Sequence, residues 1–131
     1  MDPLSIFAAA LAAFILGSLW YMAFADRWKV AARLPLNAEG DPQSSMSLKV
    51  FASSFVLLLI VSAALNYVFQ LTGVTSMPQG ATTGAGIGLL FIAPWIGINN
   101  LYAIRSPILT LIDGGYATLS CALMGLILTL L

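Results

Sequence analysis

Apolar residues run along this chain in four long blocks, residues 3 to 25, 48 to 71, about 80 to 103 and 108 to 131, with one long polar connection and two short ones between them. The blocks show no period-2 alternation and each is too long for a strand of a membrane barrel, so helices are predicted. At 1.5 Å per residue a block of roughly 23 residues extends about 35 Å, enough to cross a hydrocarbon layer of about 30 Å with some tilt. The pattern predicts an all-α integral membrane protein, a single four-transmembrane-helix bundle occupying residues 1–131.

The long connection, 26 to 47, holds Asp26, Arg27, Lys29, Arg33, Glu39 and Asp41, with Pro35, Gly40 and Pro42 as helix breakers. Its first third, Asp26 to Leu34, predicts a short interfacial helix with Trp28 at headgroup level. Residues 71 to 79 carry no charge, whereas Arg105, Ser106 and Pro107 separate the last two blocks, with the proline placed to open the fourth helix. Every basic residue, Arg27, Lys29, Arg33, Lys49 and Arg105, falls on one side of the four blocks. Positive-inside then predicts the first and third connections in the cytoplasm and both termini outside, which in a bacterium is the periplasmic face of the inner membrane. Ala23-Phe24-Ala25 is similar to a signal-peptidase site, but the segment ahead of the apolar run holds Asp2 and no basic residue, so the first block is expected to stay as a helix.

Composition narrows the chemistry. Only 8% of residues are charged and 60% are hydrophobic, where soluble domains carry about 25% charged residues. The formal net charge is zero and no basic run extends beyond Arg27 to Arg33, which excludes nucleic acid as a partner and leaves the lipid bilayer. Histidine is absent, removing the commonest metal ligand, haem ligand and neutral-pH general base. The single cysteine, Cys121, has no partner in the chain for a disulfide. No phosphate-binding glycine loop, zinc spacing or nucleophile with a histidine base occurs, so no catalytic residue, metal or cofactor is expected.

Small residues at four-residue spacing let helix backbones approach in lipid. Three such lines occur: Ala9, Ala13 and Gly17; Gly80, Gly84 and Gly88; Ala117, Cys121 and Gly125. They serve either contact within one bundle, the commoner use, or a self-association face. Pro94 interrupts the third block and frees the carbonyl of Leu90, predicting a kink near Trp95.

Polar residues recur at one depth. Trp20 and Tyr21 precede Asp26 by five or six residues, Ser53 and Ser54 lie about as far into the second block, Asn99 and Asn100 come just before Arg105, and Asp113 comes six residues after Pro107. At 1.5 Å per residue this is a level about 8 Å inside the membrane boundary. A lone carboxylate there is costly, so Asp113 is expected to face the bundle interior, protonated or paired, with Arg105, an asparagine amide or a tyrosine hydroxyl as partner. Asn99 and Asn100 point about 100° apart, so at most one can aim squarely at a single partner. The level is read as a hydrogen-bonded network fixing helix register, or as a binding or conduction site. Asn66, Gln70, Thr82 and Thr83 near the opposite face are explained by interfacial solvation, and Trp95, Tyr67, Tyr102 and Tyr116 by belt or core roles.

The ordered set Gly17-Ser18-Leu19-Trp20-Tyr21, Trp28, Ala93-Pro94, Asn99-Asn100, Arg105, Asp113-Gly114-Gly115-Tyr116 and Met124-Gly125 resembles a bacterial family of small membrane proteins, the domain of unknown function numbered 1761. The resemblance runs over nearly the whole chain and is strongest from Ala93 to Leu128. It implies a four-helix membrane protein, picks out Trp20, Tyr21, Asn99, Asn100, Arg105, Asp113 and Tyr116, and carries no established reaction. Three functions follow in order: a non-enzymatic structural or accessory protein, as a homo-oligomer or a subunit of a larger membrane complex; an oligomeric small channel or transporter; and a lipid-acting intramembrane enzyme.

Overall fold

A computed structural model describes residues 2–40 and 47–131. Asp41 and Pro42, counted above in the long connection, lie outside the described residues. Helix α1 (Pro3–Ala23) starts where the Asp2 carboxylate accepts from the Leu4 N–H and Pro3 supplies a first-turn residue that needs no donor. It breaks at Phe24, whose ψ of 16° leaves the helical region, and α2 (Ala25–Ala31) follows at once. Helix α3 (Leu48–Thr72) is capped by the Ser47 hydroxyl and ends on Gly73, at φ 73°, a left-handed stop that a side chain would strain.

The third span, Met77–Tyr102, has three parts: α4 (Met77–Ile87), a π-helical turn (Gly88–Ile92) and α5 (Ala93–Tyr102). Its Ser76 cap and early Pro78 repeat the grammar of α1. So do Ser106 and Pro107 at the start of α6 (Pro107–Leu130). Among the described residues, four helices, α1, α3, α4–α5 and α6, are long and apolar enough to cross a membrane.

Helix α6 is the axis of the fold. It touches every other helix, with α1 on one side and α4–α5 on another, while α3 packs on α1 and only lightly on α6. The small-residue lines explain this. Ala9, Ala13 and Gly17 are buried in α1, and a Cβ on Gly17 would lie 2.7 Å from the Tyr116 hydroxyl. On the third span, a Cβ at Gly80 or Gly84 would run into the backbone carbonyl of Gly125 or Cys121, and one at Gly88 would lie 2.6 Å from the carbonyl of Ala117. Thus Gly80, Gly84 and Gly88 meet Ala117, Cys121 and Gly125 within one chain, backbone against backbone. Cys121 is a buried small residue of that contact. A core of Ala9, Ala13, Leu65, Phe69, Cys121, Met124 and Leu128 fills the space among α1, α3 and α6.

Pro94 disturbs the third span in a way that a simple kink does not describe. The π turn lies just ahead of it, with the Ala93 N–H donating five residues back to Gly88, which takes up one extra residue in the helix. That residue shifts the face presented to α6. After Gly80, Gly84 and Gly88, the next contacts are Ala93, against Gly114, and Gly97, against Thr110. A continuous α-helix would bring Phe91 and Trp95 to that face instead.

Candidate functional site

Near the end of the bundle that holds Arg105, side chains of α1 and α6 interlock through glycines. The Trp20 indole lies over Gly115, where a Cβ would sit 2.9 Å from the ring, and its Nε1–H donates to the Ile112 carbonyl at 2.9 Å. In the opposite direction the Tyr116 ring lies over Gly17 and its hydroxyl donates to the Ala13 carbonyl at 2.7 Å. A helical carbonyl is normally screened by the side chains three and four residues further on. Gly115 and Gly17 remove one screen each, so both carbonyls can accept a second bond.

Between these two aromatic residues, the Tyr21 hydroxyl donates to Asp113 Oδ1 at 2.6 Å. The Tyr21 ring meets Tyr116 edge-on at 5.4 Å and Trp28 of α2 at 5.4 Å, so the ring that bonds the carboxyl is itself held between two others. Trp20 also stacks, tilted, on Phe24 at 4.8 Å. One turn earlier on α6, on a neighbouring face, Thr110 Oγ1 accepts from Asn100 Nδ2 at 3.0 Å.

Arg105 does not reach Asp113: its guanidinium donates to the Ala32 carbonyl at the end of α2. Ile104, with φ 56°, turns the chain so that Arg105 can do this. A cation at a helix C-terminus also complements the helix dipole, so Arg105 pins α2 to the turn between α5 and α6.

Of the residues placed at one depth by spacing, the structure brings Trp20, Tyr21 and Asp113 into one cluster with Tyr116, while Asn100 of α5 meets the neighbouring face of α6 and Arg105 lies at the edge. Ser53 is exposed and Ser54 half-buried on α3, and among the described residues neither joins these bonds. Asn99 is exposed on α5. Sequence reasoning passed over Thr110 and the backbone carbonyls of Ala13 and Ile112. Gly115, three residues after Ile112, and Gly17, four after Ala13, were the available signals for the two carbonyls.

Two clefts lie elsewhere. One of about 430 Å³ is lined by Met22 to Arg27 at the α1–α2 break, and one of about 320 Å³ at the opposite end is lined by Asn66, Phe69, Gln70, Gly73, Val74, Thr75, Leu128 and Thr129. Among the described residues no group of acidic, cysteine or histidine side chains is arranged to hold a metal.

The family described as Protein of unknown function (DUF1761) matches residues 4–129. The chain belongs to that family. No curated protein and no solved structure matches it. The DUF1761 match therefore takes in the whole aromatic–carboxyl cluster, from Trp20 on α1 to Tyr116 on α6.

Proposed function

We propose that the protein is a non-enzymatic structural or accessory component of a bacterial inner membrane, in which the intramembrane polar cluster locks helix register. The observation that carries this reading is the closure of the cluster on itself. Asp113 is bonded by Tyr21 at 2.6 Å, and Trp20 and Tyr116 are bonded to carbonyls of the facing helix. A conduction site needs polar groups that face water, and these face one another.

The test is reconstitution of the purified protein into liposomes, with proton and cation flux measured for the wild type and Asp113→Leu. No flux above protein-free vesicles is expected from either; flux that the substitution abolishes would replace this reading with transport. Mild-detergent affinity purification from the native membrane is expected to yield a homo-oligomer or a stoichiometric larger complex, and a monomer free of partners would count against an accessory role.

The same proposal places both termini on the non-cytoplasmic side, supported by the gathering of Arg27, Lys29, Arg33, Lys49 and Arg105 at one end. A cysteine replacing Asp2 is expected to react with an impermeant maleimide in intact spheroplasts, and one replacing Arg33 only after lysis. The reverse pattern would invert the topology.

A further inference from the structure

Helix α5 is the one part of the four spans in which no residue is buried. Its phase is set by the π turn: Ala93, Gly97 and Asn100 go to α6, the last bonding Thr110. Trp95, Asn99 and Tyr102, spaced four and three residues apart, consequently share a line that faces away from the bundle. Trp95 is 64% exposed and Tyr102 87% exposed, and Phe91 in the adjoining turn is 67% exposed.

Asn99 is the informative member. Its amide has two donors and an acceptor, and among the described residues none of them is bonded. It lies three residues before the end of α5 at Tyr102, about 5 Å along the helix at 1.5 Å per residue, and its side chain is too short to snorkel as lysine does. An amide on the outward face one turn inside the span is poorly satisfied by lipid, and interhelical hydrogen bonding supplies it with a partner.

We propose that the Trp95-Asn99-Tyr102 line of α5 is a two-fold interface with a second copy of this chain, closed by reciprocal hydrogen bonds between the two Asn99 amides. The second copy is the occupant because an amide is self-complementary. Across a two-fold axis each residue meets its own equivalent, and asparagine can donate to and accept from another asparagine, where a charged residue would be repelled. Available area fits a weak dimer: with about 200 Å² for a fully exposed aromatic side chain, Phe91, Trp95 and Tyr102 offer on the order of 400 Å² per copy, within the range of transient contacts. Apolar area gives no hydrophobic drive in lipid, so the amides decide the pairing. This goes beyond the proposed function and holds whether or not the cluster around Asp113 conducts.

The test uses the full chain in its membrane. Tyr102→Cys is oxidised with copper phenanthroline, and Leu57→Cys on the exposed face of α3 serves as control; the native Cys121 is buried. A covalent dimer is expected from Tyr102→Cys and none from Leu57→Cys. Adding Asn99→Leu is expected to weaken dimerisation about tenfold, read by energy transfer in liposomes of varied protein density, and Asn99→Gln to restore most of it. Thermal midpoints are expected to stay unchanged for both Asn99 variants, since among the described residues the side chain bonds nothing in its own chain. Equal crosslinking at Leu57→Cys, no effect of Asn99→Leu, or a crosslink to a different protein would overturn the interface.

Discussion

Gly84→Leu is expected to be the most damaging single substitution, costing about 3 kcal/mol or more of stability and lowering the thermal midpoint in detergent accordingly. The reason is what the new side chain would meet. At Gly84 the first added carbon already collides with the Cys121 carbonyl of α6. That neighbour is backbone in the middle of a helix and cannot rotate aside, so α4 and α6 must separate. Separation uncovers the contacts of Gly80 and Gly88 as well, because all three glycines lie on one line. Gly86→Leu is the matched control: nothing lies within 4 Å of its added carbon, and replacing glycine in a helix is favourable by several tenths of a kcal/mol. An equal loss at both positions would mean that close backbone approach is not what joins α4 to α6.

The second large effect is expected at the Tyr21–Asp113 bond. Tyr21→Phe takes the donor from a carboxyl inside the membrane, and Asp113→Leu leaves a hydroxyl among aromatic rings without its acceptor. Each is expected to cost about 1–3 kcal/mol. The double variant removes both needs together, so it is expected to cost less than the two losses combined, by about 1–2 kcal/mol. Asp113→Asn keeps an acceptor oxygen and is expected to fall well short of the leucine variant. Reversible unfolding in mixed detergent measures all four proteins. Strict additivity would show that the two groups act on stability independently and that the 2.6 Å contact is incidental.

Much of this was written in local sequence. Asp2-Pro3, Ser76-Met77-Pro78 and Ser106-Pro107 mark helix starts by capping chemistry that needs no tertiary information, and Gly73 marks a stop by its backbone freedom. The small-residue lines were visible too, since size alone governs how near two backbones come in lipid. Partners were harder to read. Spacing put Asp113 and Tyr21 at one depth and offered Arg105 as a further partner, but could not say that Arg105 turns to Ala32, because that depends on the left-handed turn at Ile104. It also gave α3 a share of the polar level through Ser53 and Ser54, which only contacts between helices decide. The choice between Asn99 and Asn100 was least accessible. It rests on a single extra residue in the π turn, and a Pro94 signal announces a disturbance without saying in which direction the following helix rotates.

The central place of α6 also bears on how the protein is made. Chains leave the ribosome from the N-terminal end, and α6 is the last of the four spans. Helices α1 and α3 can pair as soon as both are inserted, but α4–α5 rests on α6. During synthesis the third span therefore stands in the bilayer with Gly80, Gly84 and Gly88 uncovered until its successor arrives. Its glycine line is then open to any other helix with a small-residue stripe. The short turn through Arg105, between Tyr102 and Pro107, keeps the fourth span tethered next to the third, which favours it over other helices.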